Sequence, residues 1–261
     1  MSKTKFWNQL IQFTIVILGV LFLREYLKEQ LIENKVMDYG TLMILDVCAN
    51  LVLIVFSVYL IKKNELVKLA GLEKGRIEKG ILLIFPLVYL VLLNLVFLDD
   101  IITSDNLFTN CSILAIYAIS IGFAEEFSIR GFLQALLIKH FGGAPKKVNI
   151  AVFVSALFFG LVHLVKFDKG IYGELSQVAF ATFIGFMFGM LLLITKRLYP
   201  IIAIHTIIDF VAKMDTLGTP NEEKFTELMS LTNALLIAIL VLPCFFYGIF
   251  LMKRYKVSAR I

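Results

Sequence analysis

Eight long apolar segments dominate the sequence and decide what this chain can fold into. A helix needs about 20 apolar residues to span the roughly 30 Å of membrane hydrocarbon, and most of these segments approach that length. We therefore predict an all-α fold, a polytopic membrane helix bundle with about eight transmembrane helices. The segments are Phe6–Leu23, Thr41–Ile61, Gly80–Leu98, Leu107–Phe123 with a polar continuation, Val148–Val165, Val178–Thr195, Pro200–Ala212 and Leu231–Met252.

Composition excludes the other broad classes. Hydrophobic residues make up 59% of the chain and charged residues only 17%, outside the range of soluble or disordered proteins. The strands of a membrane β-barrel alternate polar and apolar residues, which these continuous apolar runs do not do. The net charge of +5 does not indicate nucleic-acid binding, because the basic residues are scattered between apolar segments and form no stripe.

The basic residues instead indicate a topology. With both termini in the cytoplasm, 17 of the 25 Lys and Arg residues fall on the cytoplasmic side and 7 on the outer side. We therefore predict an integral protein of a bacterial plasma membrane with cytoplasmic termini and membrane lipids as partners. Without internal repeats or a proline-rich linker, residues 1–261 are predicted to form a single integral membrane domain, and no feature indicates an oligomeric state.

Ionisable residues inside apolar segments are the candidates for function. Each costs a few kcal/mol at the membrane midplane unless it is paired or hydrated, so such residues are often functional. The first group ends the fourth segment, the second lies near the end of the fifth, and the third lies within the short seventh. The members are Glu125, Glu126 and Arg130, then His163, then His205 and Asp209.

Spacing suggests different tasks for the two glutamates. Glu126 and Arg130 are four residues apart on one helix face, which predicts a structural ion pair. Glu125 points about 100° away and has no local partner, so it is the better candidate for a general base. The alternative is that both glutamates are ordinary interfacial charges at a helix end.

The histidines suggest hydrolysis when they are combined with Glu125. His205 and Asp209 are four residues apart, so the carboxylate either orients the imidazole or acts beside it on a substrate. His163, taken alone, is as easily explained as a hydrogen-bonded core residue. A carboxylate that activates water, a histidine that shares its proton and polar groups around an oxyanion are the parts needed to hydrolyse an amide.

Three short motifs in a fixed order resemble those of one family. They are Glu125-Glu126-Phe127-Ser128-Ile129-Arg130, Phe159-Gly160-Leu161-Val162-His163 and His205-Thr206-Ile207-Ile208-Asp209. The set resembles the CPBP family, the CAAX-protease and bacteriocin-processing (Abi) intramembrane proteases, whose pattern is EExxxR, FxxxH and HxxxN/D. The resemblance makes residues 107–212 the core that carries the motifs.

The resemblance implies a membrane-embedded peptidase that hydrolyses membrane-associated peptides or precursors. It implies that Glu125 activates water with His163, that His205 and Asp209 stabilise the oxyanion or complete the site, and that Arg130 holds Glu126. The last motif ends in Asp209 where eukaryotic relatives have Asn, and an ionised Asp cannot donate a hydrogen bond to an oxyanion. Asp209 is therefore expected either to be protonated or to orient His205.

The resemblance leaves the cofactor open. The family is commonly labelled a metalloprotease, and Glu125, His163 and His205 are the residues that would bind Zn²⁺ if a metal is present. No HExxH arrangement occurs in the chain, and the same residues can work as a metal-free glutamate site. We prefer the metal-free interpretation.

Two other functions compete with proteolysis. Some family-like proteins act in bacteriocin immunity or as regulatory membrane proteins, by binding and without hydrolysis. A small transporter could use Glu125, His163 and His205 as a relay for protons or metal ions, but inverted repeats are then expected and the sequence shows none.

Depth in the membrane raises a geometric difficulty for the site. With cytoplasmic termini, Glu125 and His205 are expected in the inner half of the bilayer. His163 lies fifteen residues after Val148, which places it about 22 Å from the inner surface on an untilted helix. The three residues then sit at different depths unless a helix tilts or begins elsewhere.

Overall fold

A computed structural model describes residues 2–36, 38–96, 106–166, 169–218 and 228–256. Every predicted apolar segment contains a helix, and we number these helices α1 to α8 in chain order. They are α1 (Lys3–Glu33), α2 (Tyr39–Lys63), α3 (Ile84–Val96, preceded by the 3-10 turn Gly80–Leu83), α4 (Leu107–Phe141), α5 (Pro145–Val162, followed by the 3-10 turn His163–Val165), α6 (Gly170–Thr195), α7 (Tyr199–Ala212) and α8 (Leu231–Tyr255).

The predicted membrane helix bundle is confirmed. By length and composition, six of the helices in the described ranges can each cross a membrane, namely α1, α2, α4, α5, α6 and α8. The two shorter apolar helices are α3 with its preceding turn and α7. Helix α7 has 14 residues, fewer than the about 20 of an ordinary membrane span. Its position therefore depends on packing against the neighbouring helices.

Helix α6 forms the centre of the bundle. It packs against α5 on one side and α8 on the other, and its second half from Ile184 to Leu192 is buried throughout. Gly185 and Gly189 face the polar side chains of α4: the amide nitrogen of Gln134 donates to the carbonyl of Gly189 at 3.2 Å. The small residues let the two helices approach closely.

Replacing Gly189 with Ala is expected to destabilise the bundle by about 1–3 kcal/mol through overpacking. A Cβ at this position would lie 2.5 Å from Oε1 of Gln134 and 2.7 Å from Cγ1 of Val152, and both neighbours are buried. The measurement is the free energy of unfolding in mixed micelles. Gly19→Ala is the matched control, because a Cβ there meets nothing within 4 Å. Equal stability of the two variants would contradict close packing at Gly189.

Helix α4 includes the predicted polar continuation and changes its winding in the middle. Phe127–Gln134 is π-helical, directly after the two glutamates. The helix then continues to Phe141, and a turn at Gly142 leads into α5 at Pro145. Gly142 has a positive φ of 104°, a conformation that glycine adopts without the steric cost other residues incur.

The length of α4 resolves the difficulty of depth. Glu125 lies sixteen residues before Phe141, about 24 Å from that end of the helix, and His163 lies eighteen residues after Pro145, about 27 Å along α5. Because α4 and α5 are joined at this end, both residues reach a similar height. Which half of the bilayer holds Glu125 stays a prediction.

Helix α7 begins beside the middle of α4. The Tyr199 ring lies 6.5 Å from the rings of both Phe123 and Phe127. One face of α7, including Ile201, Ile204 and Ile208, is buried, whereas Ile207 is exposed. Gly122 lies close to the backbone and hydroxyl of Thr206. Helix α7 is therefore buried on one face, and that face carries His205.

Candidate active site

The predicted ion pair in α4 is present and fully buried. Nη1 of Arg130 lies 2.9 Å from Oε1 of Glu126, with 1% and 0% of the respective side chains exposed. The pair is not isolated, because Nδ1 of His205 on α7 lies 2.8 Å from the same Oε1. Glu126 thus joins α4 to α7, in addition to holding the arginine.

Arg130 is held between aromatic rings. Its guanidinium carbon lies 4.7 Å from the ring centre of Phe159 on α5 and 5.6 Å from that of Phe188 on α6. Cation–π attraction of this kind is worth about 2 kcal/mol when the cation is desolvated. Gly185 leaves room for the guanidinium, since a Cβ there would lie 3.3 Å from Nη2. The arginine therefore connects three helices around Glu126.

The bond to Glu126 fixes the orientation of His205. A carboxylate paired with arginine accepts hydrogen bonds, so Nδ1 of His205 donates and Nε2 is left for the opposite side of the ring. There Nε2 lies 3.4 Å from Oε2 of Glu125 and 3.8 Å from Oδ2 of Asp209. Two carboxylates therefore flank the nitrogen that is available for chemistry.

His163 is oriented by its own helix. Its Nδ1 lies 2.8 Å from the backbone carbonyl of Phe159, which is only an acceptor, so Nδ1 carries the proton. Nε2 of the neutral ring then has the free lone pair and can accept a proton from a ligand. The Phe159 ring stands edge-on to the imidazole at 4.9 Å. His163 lies where α5 gives way to a 3-10 turn.

Asp209 does not orient His205 through a direct hydrogen bond. Its carboxylate is on the Nε2 side at 3.8 Å, beyond hydrogen-bonding distance, while Glu126 occupies Nδ1. Of the two expectations for this residue, the geometry favours action beside the imidazole. The orienting role belongs to the second glutamate of the first motif.

One cavity brings the four predicted catalytic residues together. It has a volume of about 500 Å³, within the range of small-molecule and peptide sites, and its lining includes Glu125, His163, His205 and Asp209. Glu126 and Arg130 are buried behind this lining. The two glutamates therefore lie on different sides of α4, as the helix spacing predicts, and their separate roles in catalysis stay predictions.

The first two helices close the cavity on the side away from the motifs. Arg24 and Lys28 of α1 contribute to the lining, and Lys28 is paired at 2.8 Å with the buried Asp46 of α2. Farther along α2, the Asn50 amide donates to the Ser120 hydroxyl of α4 at 2.9 Å. The part of the cavity wall formed by α1 and α2 therefore carries charged residues near one end of the bundle, and a hydrogen bond joins α2 to α4.

The cavity extends toward the end of the bundle opposite the chain termini. Its polar lining includes Lys28, Lys169 and Lys213, which lie near the ends of α1, α6 and α7 remote from Lys3 and Tyr255. Apolar residues such as Leu53 and Ile184 line the remainder. The site is thus a partly polar, partly apolar space between helices.

The arrangement does not support a preformed zinc site. Two imidazole nitrogens and a carboxylate are a suitable set of donors, and both histidines have the Nδ1 hydrogen bonds common among metal ligands. However, no group of three or more His, Cys, Asp and Glu side chains in the described ranges is placed to hold a metal ion. The metal-free interpretation stays a prediction.

Sequence reasoning missed the contact between Glu126 and His205. These residues are 79 positions apart, and nothing in either motif indicates which glutamate meets the imidazole. It also missed the cavity wall from α1, although Arg24 and Lys28 are four residues apart and follow directly on the apolar run of residues 15–23. That spacing on one face was the available signal.

Comparison with known proteins supports the resemblance drawn from the motifs. Residues 107–211 match the family described as type II CAAX prenyl endopeptidase Rce1-like. The matched segment begins with α4 and contains all three motifs. No curated protein matches the chain.

Proposed function

We propose that this chain, whose residues 107–211 match the Rce1-like family, hydrolyses peptide bonds with a water molecule activated by Glu125. The match to that family supports a CAAX-type membrane protease. The proposal adds a mechanism and a substrate class. It is supported chiefly by the single cavity that Glu125, His163, His205 and Asp209 line together.

The first step assigned to the chain's own residues is proton removal from water. Within the described residues Glu125 forms no ion pair with an arginine, and it lies on the cavity side, so its carboxylate is available as the base. His163 presents an unprotonated Nε2 to the same cavity and shares the proton as the water attacks. Hydroxide adds to the peptide carbonyl carbon, and the carbonyl oxygen becomes the oxyanion.

The second step is stabilisation of the oxyanion and release of the amine. His205 enters the reaction protonated on both ring nitrogens and donates from Nε2 to the oxyanion without giving up this proton, and an Asp209 that is protonated from the start contributes a second donor beside it. When the tetrahedral intermediate collapses, the C–N bond breaks and the proton taken from water passes to the leaving nitrogen. Glu126 and Arg130 keep the imidazole in place throughout.

The proposed substrates are membrane-associated peptides, such as leader peptides or membrane-bound precursors. The cavity combines apolar lining with charged residues at one end, so it suits an apolar segment with a polar flank. If the termini are cytoplasmic, this end faces the outer side of the membrane, and substrates approach from there. Prenylated substrates are not proposed, because prenylation is not expected in a bacterium.

The proposal is tested with the purified protein in proteoliposomes and a library of quenched fluorescent peptides. In water enriched in ¹⁸O, we expect fragments whose new carboxyl group carries one ¹⁸O atom. Immunity or regulation by binding without proteolysis is the alternative, and it predicts no cleavage by folded protein across the library. No specific contact in the described part of the chain favours that alternative over hydrolysis.

Asp209→Asn is expected to retain at least about a third of the wild-type kcat, whereas Asp209→Ala is expected to lose about tenfold or more. The amide can donate to an oxyanion as the protonated carboxyl does, and the orientation of His205 depends on Glu126. The measurement is kcat on one cleaved peptide. If Asn and Ala variants are equally impaired, the carboxylate charge is needed and the donor role is wrong.

Removal of metal ions is expected to leave kcat unchanged. Dialysis against a strong chelator, followed by assay in chelated buffer, tests this directly, because the proposed steps use only side chains of the chain. Loss of activity that added Zn²⁺ restores would contradict the metal-free mechanism and make Glu125, His163 and His205 metal ligands.

A further inference from the structure

A second depression lies on the outside of the bundle, remote from the catalytic cavity. Helices α5 and α8 both pack against α6 and leave between them a shallow groove of about 550 Å³. Phe186 of α6 forms the floor, with Phe153 of α5 and Phe245 of α8 as the two sides. The groove plays no part in the proposed hydrolysis.

Aromatic contacts fix the shape of this groove. The Phe186 ring is edge-on to Phe153 at 6.2 Å and tilted against Phe245 at 5.6 Å. Gly248 of α8 makes room for the Phe186 ring, since a Cβ there would lie 2.6 Å from its Cδ1. Phe186 is 3% exposed, so the floor is a packed surface. The groove is therefore a built feature and not a gap between loose side chains.

One end of the groove is basic and polar. Lys146 and Asn149 line it in the first turns of α5, where free backbone N–H groups and the helix dipole favour an anion. Lys253 and Arg254 occupy the last turn of α8, at the same end of the bundle. Oδ1 of Asn149 is buried and has no hydrogen-bond partner within the described parts of the chain. This end therefore suits a ligand with both negative charge and hydroxyl donors.

We propose that the groove binds one anionic glycerophospholipid. An acyl chain lies on the aromatic floor, the phosphate lies at Lys146 and the start of α5, and a headgroup hydroxyl donates to Oδ1 of Asn149. The groove faces the surroundings of a membrane-spanning bundle, where acyl chains are the available apolar partner. Its basic end is also on the side predicted to be cytoplasmic, where anionic lipids attract basic residues.

The size of the groove favours a lipid over a protein helix. From Lys146 to Phe153 it follows α5 for about 10 Å. A partner helix that crosses the membrane would contact the bundle over roughly 30 Å, three times this length. A single acyl chain with its headgroup fits the observed combination of a short apolar floor and one charged end.

The test uses a tryptophan reporter in the groove of the full-length protein. Trp7 is the chain's single tryptophan, so Phe153→Trp in a Trp7→Phe background gives one fluorophore. Ile239→Trp in the same background is the control, because Ile239 of α8 is 60% exposed but outside the groove. Both proteins are reconstituted in phosphatidylcholine that contains a small amount of a brominated lipid. Quenching of the tryptophan by brominated phosphatidylglycerol is compared with its quenching by brominated phosphatidylcholine.

We expect phosphatidylglycerol to associate about fivefold more strongly than phosphatidylcholine at position 153 and equally at position 239. A fivefold change corresponds to about 1 kcal/mol, the size of one lysine's attraction to an anionic membrane. Lys146→Ala should remove the preference. Lys147→Ala, which removes the neighbouring exposed lysine outside the groove lining, should keep it.

Three outcomes would overturn the proposal. The first is equal quenching by the two lipids at position 153. The second is a preference that survives Lys146→Ala, which would assign it to the general basic surface. The third is that neither brominated lipid quenches the tryptophan at position 153 and that the protein cross-links as a dimer through α5 and α8. This result would identify a second copy of the chain as the occupant of the groove.

Discussion

Glu125→Gln should lower kcat by about a thousandfold while leaving the protein folded and inserted. A positioned general base contributes about 10²–10⁴ to a rate, and glutamine cannot take a proton from water. The substitution keeps the size of a side chain that lies at the cavity surface, 3.4 Å from Nε2 of His205. The measurement is kcat on a cleaved peptide, with the unfolding transition recorded for the same preparation.

Glu25→Gln is the matched control for this loss. Glu25 also lines the cavity, but it bonds the neighbouring Arg24 and not a histidine. We expect its removal to change kcat by less than about threefold. An inactive, folded Glu126→Gln protein beside an active Glu125→Gln protein would reverse the assignment of base and orienting residue.

Arg130→Met should destabilise the protein by about 3–5 kcal/mol, the largest stability effect that we expect in the chain. The arginine is 1% exposed and its partner Glu126 is 0% exposed, so its loss leaves a buried carboxylate without its cation. Contacts with Phe159 and Phe188 are lost as well. The measurement is the free energy of unfolding in mixed micelles.

The double variant Arg130→Met with Glu126→Gln separates charge from packing. Removing both charges leaves no uncompensated ion, so the double variant should be more stable than Arg130→Met alone by about 2 kcal/mol. It should remain poorly active, because a neutral amide holds His205 less firmly. Equal stability of the single and double variants would show that the unpaired buried charge of Glu126 does not cause the destabilisation.

The helices were predictable from the sequence because a segment that lies in lipid must be apolar along most of its length, whatever its tertiary contacts. Each apolar segment contains a helix, and the ion pair of Glu126 with Arg130 followed from spacing within one helix. The polar continuation of α4 was predicted, but its π-helical winding over Phe127–Gln134 and its end at Phe141 were not. Ser128, Arg130 and Gln134 are buried there, and their polar side chains interrupt the apolar pattern that indicates the length of a membrane span.

Contacts between helices account for the remaining part of the site. That Glu126 meets His205, that Arg130 lies between Phe159 and Phe188, and that α1 closes the cavity are consequences of packing between distant segments. The motifs and their spacing identify which side chains could take part in catalysis and on which helix face each lies. The partner across a helix interface depends on rotation and depth of both helices, which a single sequence does not specify.

The central claim is that a membrane peptide is hydrolysed through Glu125. The most direct measurement is mass spectrometry of new peptide termini in membranes of cells that carry equal amounts of wild-type protein or the Glu125→Gln variant. We predict at least one membrane-associated cleavage product that is present with the wild type and absent with the variant. Identical termini in the two membranes, together with an unchanged cellular phenotype, would contradict hydrolysis and favour a protein that acts by binding.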